Sequence, residues 1–252
     1  MHDFTLIGGP TAVFEYGSLR WMTDPAFSPP GEYERLVKLT GPAIEPDDLG
    51  AIDVVLVSHD HHADNLDPAG RAFLPRAGRV LTTVAGAQRL GGNATGLQPW
   101  TEVEVDAGNG AAVTVTGVPA QHGPDGTDHI TGPVIGFVLR APGAESVYVS
   151  GDNASLDVVR AIADHVGQVD IAVLFAGAVQ LPNRFDGAYL TLSSDHAAEA
   201  AKILGAHRVV PVHFEGWQHF TQGADALRRA FAGNGIAGRL RMPERGVSLE
   251  VS

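Results

Sequence analysis

The run Ile52-Asp53-Val54-Val55-Leu56-Val57 leads directly into Ser58-His59-Asp60-His61-His62-Ala63-Asp64-Asn65-Leu66-Asp67. A nearly continuous apolar run of this length, bounded by polar turns, reads as a strand covered on both faces. The ten residues behind it hold three histidines and three acids. Imidazole and carboxylate are both good ligands for divalent ions, so a buried strand that empties into such a cluster reads as a metal site. The chain has no cysteine, which excludes disulfides, thiolate ligands and a thiol nucleophile. Any metal must therefore be held by nitrogen and oxygen donors.

The rest of the chain alternates short strands and helices. Phe4–Ile7, Ala12–Tyr16 and Leu19–Thr23 read as an opening antiparallel meander that ends at Asp24-Pro25. Residues 26–50 are rich in Pro and Gly, with at most one short helix expected, around Glu32–Leu39. After the Ile52–Val57 strand come a short helix near Pro68–Phe73, a strand at Arg79–Val84 and a helix at Ala85–Leu90. Strands at Thr101–Val105 and Ala111–Val118 complete the first half. Further strands are expected at Val134–Arg140, Ser146–Ser150, Asp170–Phe175, Arg208–Val212 and Val247–Val251. Helices are expected at Leu156–His165, Ala197–Leu204 (capped by Ser194 or Asp195) and Ala224–Ala232. No low-complexity linker divides the chain, so the reading is one domain over residues 1–252: an α/β (α+β) fold of two mixed sheets face to face with helices outside. Ligands in such folds gather where strand ends open into loops.

Four predicted strand ends deliver candidate ligands. His122 follows Ala111–Val118, Asp152 follows Ser146–Ser150, His213 follows Arg208–Val212, and the residue 59–65 cluster follows Ile52–Val57. A lone histidine after a strand is usually a hydrogen-bonded loop residue, and Gly-Asp is an ordinary turn. Four such ends in one chain make a metal-site pattern.

With these residues in place the chain resembles the metallo-β-lactamase-fold superfamily, and within it the branch of ascorbate-6-phosphate lactonase-like and phospholipase-D-like metallohydrolases. The resemblance covers nearly the whole length. It implies a four-layer αββα sandwich with a dinuclear site at one edge of the sheets. It also implies that His122 ligates a first metal, Asp152 bridges, and His213 ligates a second. The superfamily pattern His-x-His-x-Asp-His is absent, and two registers compete. Keeping the spacing puts the motif on Asp60-x-His62-x-Asp64-Asn65 and needs no insertion, which favours it. Keeping the first His behind Ser58 gives His59-x-His61 with one extra residue before Asp64. Both put Asn65 where the pattern has a His, which weakens the second metal and tilts preference from zinc towards harder ions such as manganese or iron. The expected cofactor is one or two divalent ions, Zn, Mn or Fe.

Among other residues, Asp24 resembles a buried acceptor behind the metal loop. Trp217 and His219 are candidates for the wall of a substrate pocket, as are Phe214 and Phe220. Arg184 is the candidate anion-binding side chain, and Asp195 reads as a helix cap. The expected chemistry is hydrolysis of a lactone, ester or phosphodiester by a metal-bound hydroxide, with Asp64 orienting the hydroxide or taking its proton. The alternatives are a catalytically silent metal-binding protein of the same fold and a di-iron redox role. A net charge of −12 disfavours nucleic acid and anionic membrane as main partners. No apolar stretch reaches the ~18–20 residues that span a bilayer, and the N-terminus lacks the pattern of a signal peptide. A cytoplasmic protein acting on a small molecule is expected, and a homo-oligomer is compatible with this composition.

Overall fold

The computed structural model describes residues 1–108, 110–181 and 183–251. The chain opens with β1 (His2–Gly8), β2 (Thr11–Tyr16), β3 (Leu19–Thr23), β4 (Gly31–Tyr33), β5 (Leu36–Lys38) and β6 (Val54–Leu56). It continues through α1 (Pro68–Phe73), β7 (Arg79–Thr83), α2 (Val84–Leu90), β8 (Ala94–Leu97), β9 (Glu102–Gly108) and β10 (Ala111–Ala120). Next come α3 (Asp128–Thr131), β11 (Val134–Arg140), β12 (Val147–Val149), α4 (Leu156–Val166) and β13 (Ile171–Phe175). It closes with α5 (Ser194–Ile203), β14 (Arg208–Val212), α6 (Ala224–Gly233) and β15 (Ser248–Leu249).

Two large mixed sheets result, in the orders β15-β1-β2-β3-β6-β7-β8 and β14-β13-β12-β11-β10-β9. Each has an antiparallel half built from hairpins and a parallel half built from crossovers: β3-β6-β7-β8 in the first, β12-β13-β14 in the second. The period-2 geometry of a strand explains why β6 reads as unbroken hydrophobic sequence. Val54 and Leu56 face the core shared with the second sheet, where they meet Phe137 and Val149. Val55 and Val57 face the other way, into a second apolar cluster with Leu66, Phe73 and Leu74 around α1. The same split separates Phe14 and Trp21 from Val13 and Met22 on β2 and β3.

Helix starts follow local capping chemistry. Asp67 accepts from Gly70 N with Pro68 at the first helical position of α1. Ser155 caps α4, whose buried stripe is Val159 and Ile162 and whose end is set by Gly167 at φ +77°. In α5 the cap is Ser193, whose hydroxyl accepts from His196 N, so the expected caps Ser194 and Asp195 both lie inside the helix.

The helix expected around Glu32–Leu39 is instead the β4–β5 hairpin. Its turn places Glu34 at φ +56°. Lys38, buried at its end, donates to Asp67 at 2.9 Å and to the Ala26 carbonyl at 2.7 Å. This tertiary anchor outweighs local helix propensity. No helix among the described residues is long and apolar enough to cross a membrane.

Candidate metal centre

The turns after β6, β10, β12 and β14 meet at one edge of the paired sheets. Two backbone links stitch them together: Ile135 N donates to the Ser58 carbonyl at 3.1 Å, and Ala154 N to the Gln121 carbonyl at 2.7 Å.

Behind the first turn lies Asp24, fully buried at φ +26°. Its carboxylate accepts from Ser58 N and Ser58 Oγ, each at 2.6 Å, and from Asn65 Nδ2 at 3.0 Å. Ser58 Oγ is also 2.9 Å from His59 Nδ1. With the serine hydroxyl donating to Asp24, His59 carries its proton on Nδ1 and leaves Nε2 as a lone pair. That Nε2 is 2.8 Å from His62 Nδ1. His122 donates from Nδ1 to the Leu190 carbonyl at 2.7 Å, which likewise leaves its Nε2 bare. These bonds gather His59, His62 and His122 into one imidazole pocket, with ring centroids 4.8–5.4 Å apart. Asp152 approaches it, its Oδ2 lying 3.7 Å from His122 Nδ1.

A carboxylate pocket adjoins the first. Ligand atoms of Asp64, Asp152 and His213 lie within 4.8 Å of one another, and so do those of His59, His122 and Asp152. Asp152 belongs to both groups. His213 occupies a left-handed conformation, φ +57°, with its N–H donating to the Gly9 carbonyl at 2.7 Å. Only glycine fits at 177 beside this turn, because a Cβ there would lie 2.1 Å from the His213 carbonyl oxygen.

Burial governs the electrostatics. It lowers the pKa of His62 to about 3, helped by His122, and lowers His59 and His122 as well, so all three imidazoles are neutral. Burial raises Asp24 and Asp152 to about 7, against the hydrogen bonds and nearby imidazole that favour their charged forms. It acts the same way on Asp64, but there His213 and His219 outweigh it and hold the carboxyl well below the usual range.

Asp152 Oδ2, both ring nitrogens of His213 and Asn65 Oδ1 are buried with no hydrogen-bond partner. Buried polar atoms are normally paired. Neutral imidazoles and carboxylates converging around such atoms are the donor set that a divalent cation satisfies, so these residues fit a metal.

Neither sequence register is taken whole. His59, His62 and Asp64 converge, whereas Asp60 turns away: Arg89 Nε donates to its Oδ2 at 2.9 Å, and Arg71 also pairs with it. Two guanidiniums hold that carboxylate away from both pockets, which removes the first ligand of the spacing-preserving register. His61 lies close to His59 and His62 but spends Nε2 on the Thr131 carbonyl at 2.7 Å. Gly132 makes room for that ring, since a Cβ there would meet His61 Nε2 at 2.2 Å.

A cleft of about 410 Å³ opens above the two pockets. His62, Asp64, His122 and His219 lie at its base, Leu36, Ile130, Val179 and Leu190 on apolar walls, and Arg35 and Arg184 on its rim. Arg184 thus lines the same cleft as His62 and Asp64. Trp217 does not line this cleft. It is buried behind the β4–β5 hairpin, with Lys38 Nζ 5.4 Å from its ring and Tyr33 edge-on at 6.1 Å. The contact of His219 Nε2 with Asp64 Oδ2, 2.8 Å across 155 residues, has no signature in local sequence; only the clustering of His213 and His219 hinted at it.

Residues 20–214 match the family model described as beta-lactamase superfamily domain. A metal-dependent hydrolase of Methanosphaerula palustris is 31% identical over 185 residues, 71% of this chain and 75% of that protein. Two solved structures share the fold. One is a possible metal-dependent hydrolase from Veillonella parvula, with TM-score 0.86, 17% identity and 100% of each chain covered. The other is an isothiocyanate hydrolase from Delia radicum gut bacteria, with TM-score 0.84, 19% identity and 99% of each chain covered. The chain belongs to the metallo-β-lactamase superfamily. Within it, the chain is a metal-dependent hydrolase.

Proposed function

We propose that this hydrolase cleaves a small lactone, ester or phosphodiester seated in the cleft over the two pockets. The observation that carries this reading is the set of partnerless buried atoms on Asp152 and His213 beside neutral His59, His62 and His122. One or two ions of Zn, Mn or Fe would be held by these residues together with Asp64. Bound there, a divalent ion lowers the pKa of a coordinated water towards neutrality and polarises the substrate oxygen.

The protein's own part is positional and electrostatic. Asp64, kept ionised by its imidazole neighbours, is set to orient the attacking water. Asp152, shared by both pockets, fixes their spacing. Asp24 acts through Ser58, holding the tautomer and aim of His59. The apolar walls exclude bulk water, and Arg184 at the rim is suited to an anionic group of the substrate. A lactonase-like substrate and a cytoplasmic location belong to the same proposal.

The test is hydrolysis of a panel of lactones, esters and phosphodiesters by protein loaded with each metal. Turnover that disappears with chelator and returns with metal supports the reading; tight metal binding without turnover of any substrate opposes it. Asn65 favours a second reading, a metal-binding protein with a silent site, because an amide stands where the superfamily pattern has an imidazole. One ion per chain with no activity is the result that reading expects.

A further inference from the structure

The two pockets differ in composition. Three imidazoles surround the first, whereas Asp64, Asp152 and His213 supply the second with a single one. Asn65 adds no nitrogen donor to it: its Nδ2 faces the carboxylates, donating to Asp24 at 3.0 Å and Asp152 at 3.1 Å. A further imidazole, from another part of the chain, touches this pocket at Asp64. His219 Nε2 is 2.8 Å from Asp64 Oδ2, and His213 Nε2 is 3.3 Å from that same oxygen. Donors bound to one ion at 2.0–2.1 Å in a tetrahedron sit about 3.3 Å apart, which is the His213 separation; His219 lies closer, at hydrogen-bond distance from the same oxygen.

The His219 side chain is 7% exposed, and its Nδ1 has no hydrogen-bond partner. Phe220 packs against the ring at 4.8 Å and Trp217 at 6.0 Å, while the His219 carbonyl accepts from Gln180 N at 3.2 Å. A buried imidazole held this firmly, with Asp64 as its hydrogen-bond contact, is pre-organised in the way that a ligand is.

We propose that His219 is a metal ligand of the carboxylate pocket, completing with Asp64, Asp152 and His213 the site of a second divalent ion. This rests on the metal-dependent reading above and adds to it a ligand from outside the residue 58–67 loop. In the tautomer with its proton on Nδ1, His219 turns the Nε2 lone pair towards the space beside Asp64. With its proton on Nε2 it would only orient that carboxylate.

The experiment separates these roles by counting metal rather than activity. Wild type, His219→Ala and His219→Gln are loaded with zinc, dialysed and analysed for metal, and their cobalt-substituted spectra are compared. Glutamine keeps a donor for Asp64 but lacks the imidazole. The expected result is two ions in wild type, with the second weakened roughly tenfold or more in both variants and a changed cobalt spectrum. Retention of both ions and the wild-type spectrum by His219→Gln overturns the proposal, as does a wild type that holds fewer than two ions. X-ray absorption of zinc-loaded wild type needs no variant: five imidazoles shared by two ions support the assignment, and four overturn it. A one-ion wild type with chelator-sensitive hydrolysis removes this proposal alone, whereas a wild type that binds no metal removes the hydrolase reading with it.

Discussion

Asn65 and Asp24 are joined at 3.0 Å across 41 residues of sequence, and the same Asn65 nitrogen reaches Asp152 at 3.1 Å. The amide thus clamps the carboxylate behind the first turn to the one shared by the two pockets. At the position where the superfamily pattern has an imidazole, this chain uses a side chain that fixes two acids in place.

Asn65→Ala should leave both buried acids without that donor. The expected cost is about 1–3 kcal/mol of stability and a loss of metal affinity of roughly tenfold to a hundredfold. Urea unfolding of the metal-free protein and a chelator-competition titration measure the two effects separately.

Metal binding should depend on pH through Asp152 rather than through His59, His62 and His122. Burial lowers the pKa of His59, His62 and His122, which favours their neutral forms, whereas it raises Asp152 to about 7. A carboxyl raised in the folded state binds more protons there than in the unfolded chain. Its stabilising contribution to metal-free protein is therefore full below the unfolded pKa of 3.8 and disappears as pH rises through about 7. An incoming ion must displace that proton. Apparent affinity should rise with pH up to about 7 and then level off. Calorimetry in buffers of different ionisation enthalpy should detect about one proton released at pH 6, from Asp152; at pH 8 the released proton comes from a coordinated water instead.

The Lys38–Asp67 pair is a structural anchor. Asp67 also accepts from Phe27 N, Ser28 N and Gly70 N, so its carboxylate ties the β4–β5 hairpin, the segment after Asp24 and the start of α1 together. Asp67→Asn leaves a buried ammonium without its counter-charge and should destabilise the fold by about 3–5 kcal/mol. Denaturant unfolding checks this, and Lys38→Met should cost less because the Asp67 carboxylate keeps its three backbone N–H donors.

Asp60→Ala should leave metal content at the wild-type level and lower stability by about 1–3 kcal/mol through the freed Arg89 and Arg71. His62→Ala, by contrast, should lose the ion of the imidazole pocket. Elemental analysis of the two variants side by side distinguishes the residue that holds the arginines from the one that faces the metal.

The parts of this fold that were legible in sequence are those written in local pattern. The alternation of Val54/Leu56 and Val55/Val57 between two cores is a strand signal. The turns bearing His122, Asp152 and His213 are each announced by the strand before them. Contacts made at a distance were not legible. Nothing near Asp60 says that Arg89, 29 residues on, will take its carboxylate, and nothing near Asp64 says that His219 will reach it. The hairpin at residues 31–38 stands where the sequence suggests a helix, because it is anchored by Asp67 and Trp217 rather than by local pattern.

The most direct measurement is metal content and hydrolytic rate in Asp152→Ala, since Asp152 is the ligand candidate common to both pockets. Loss of at least one ion per chain together with nearly all turnover is the predicted result. A variant that keeps wild-type metal content and rate would contradict a metal-centred hydrolase at this edge of the sheets.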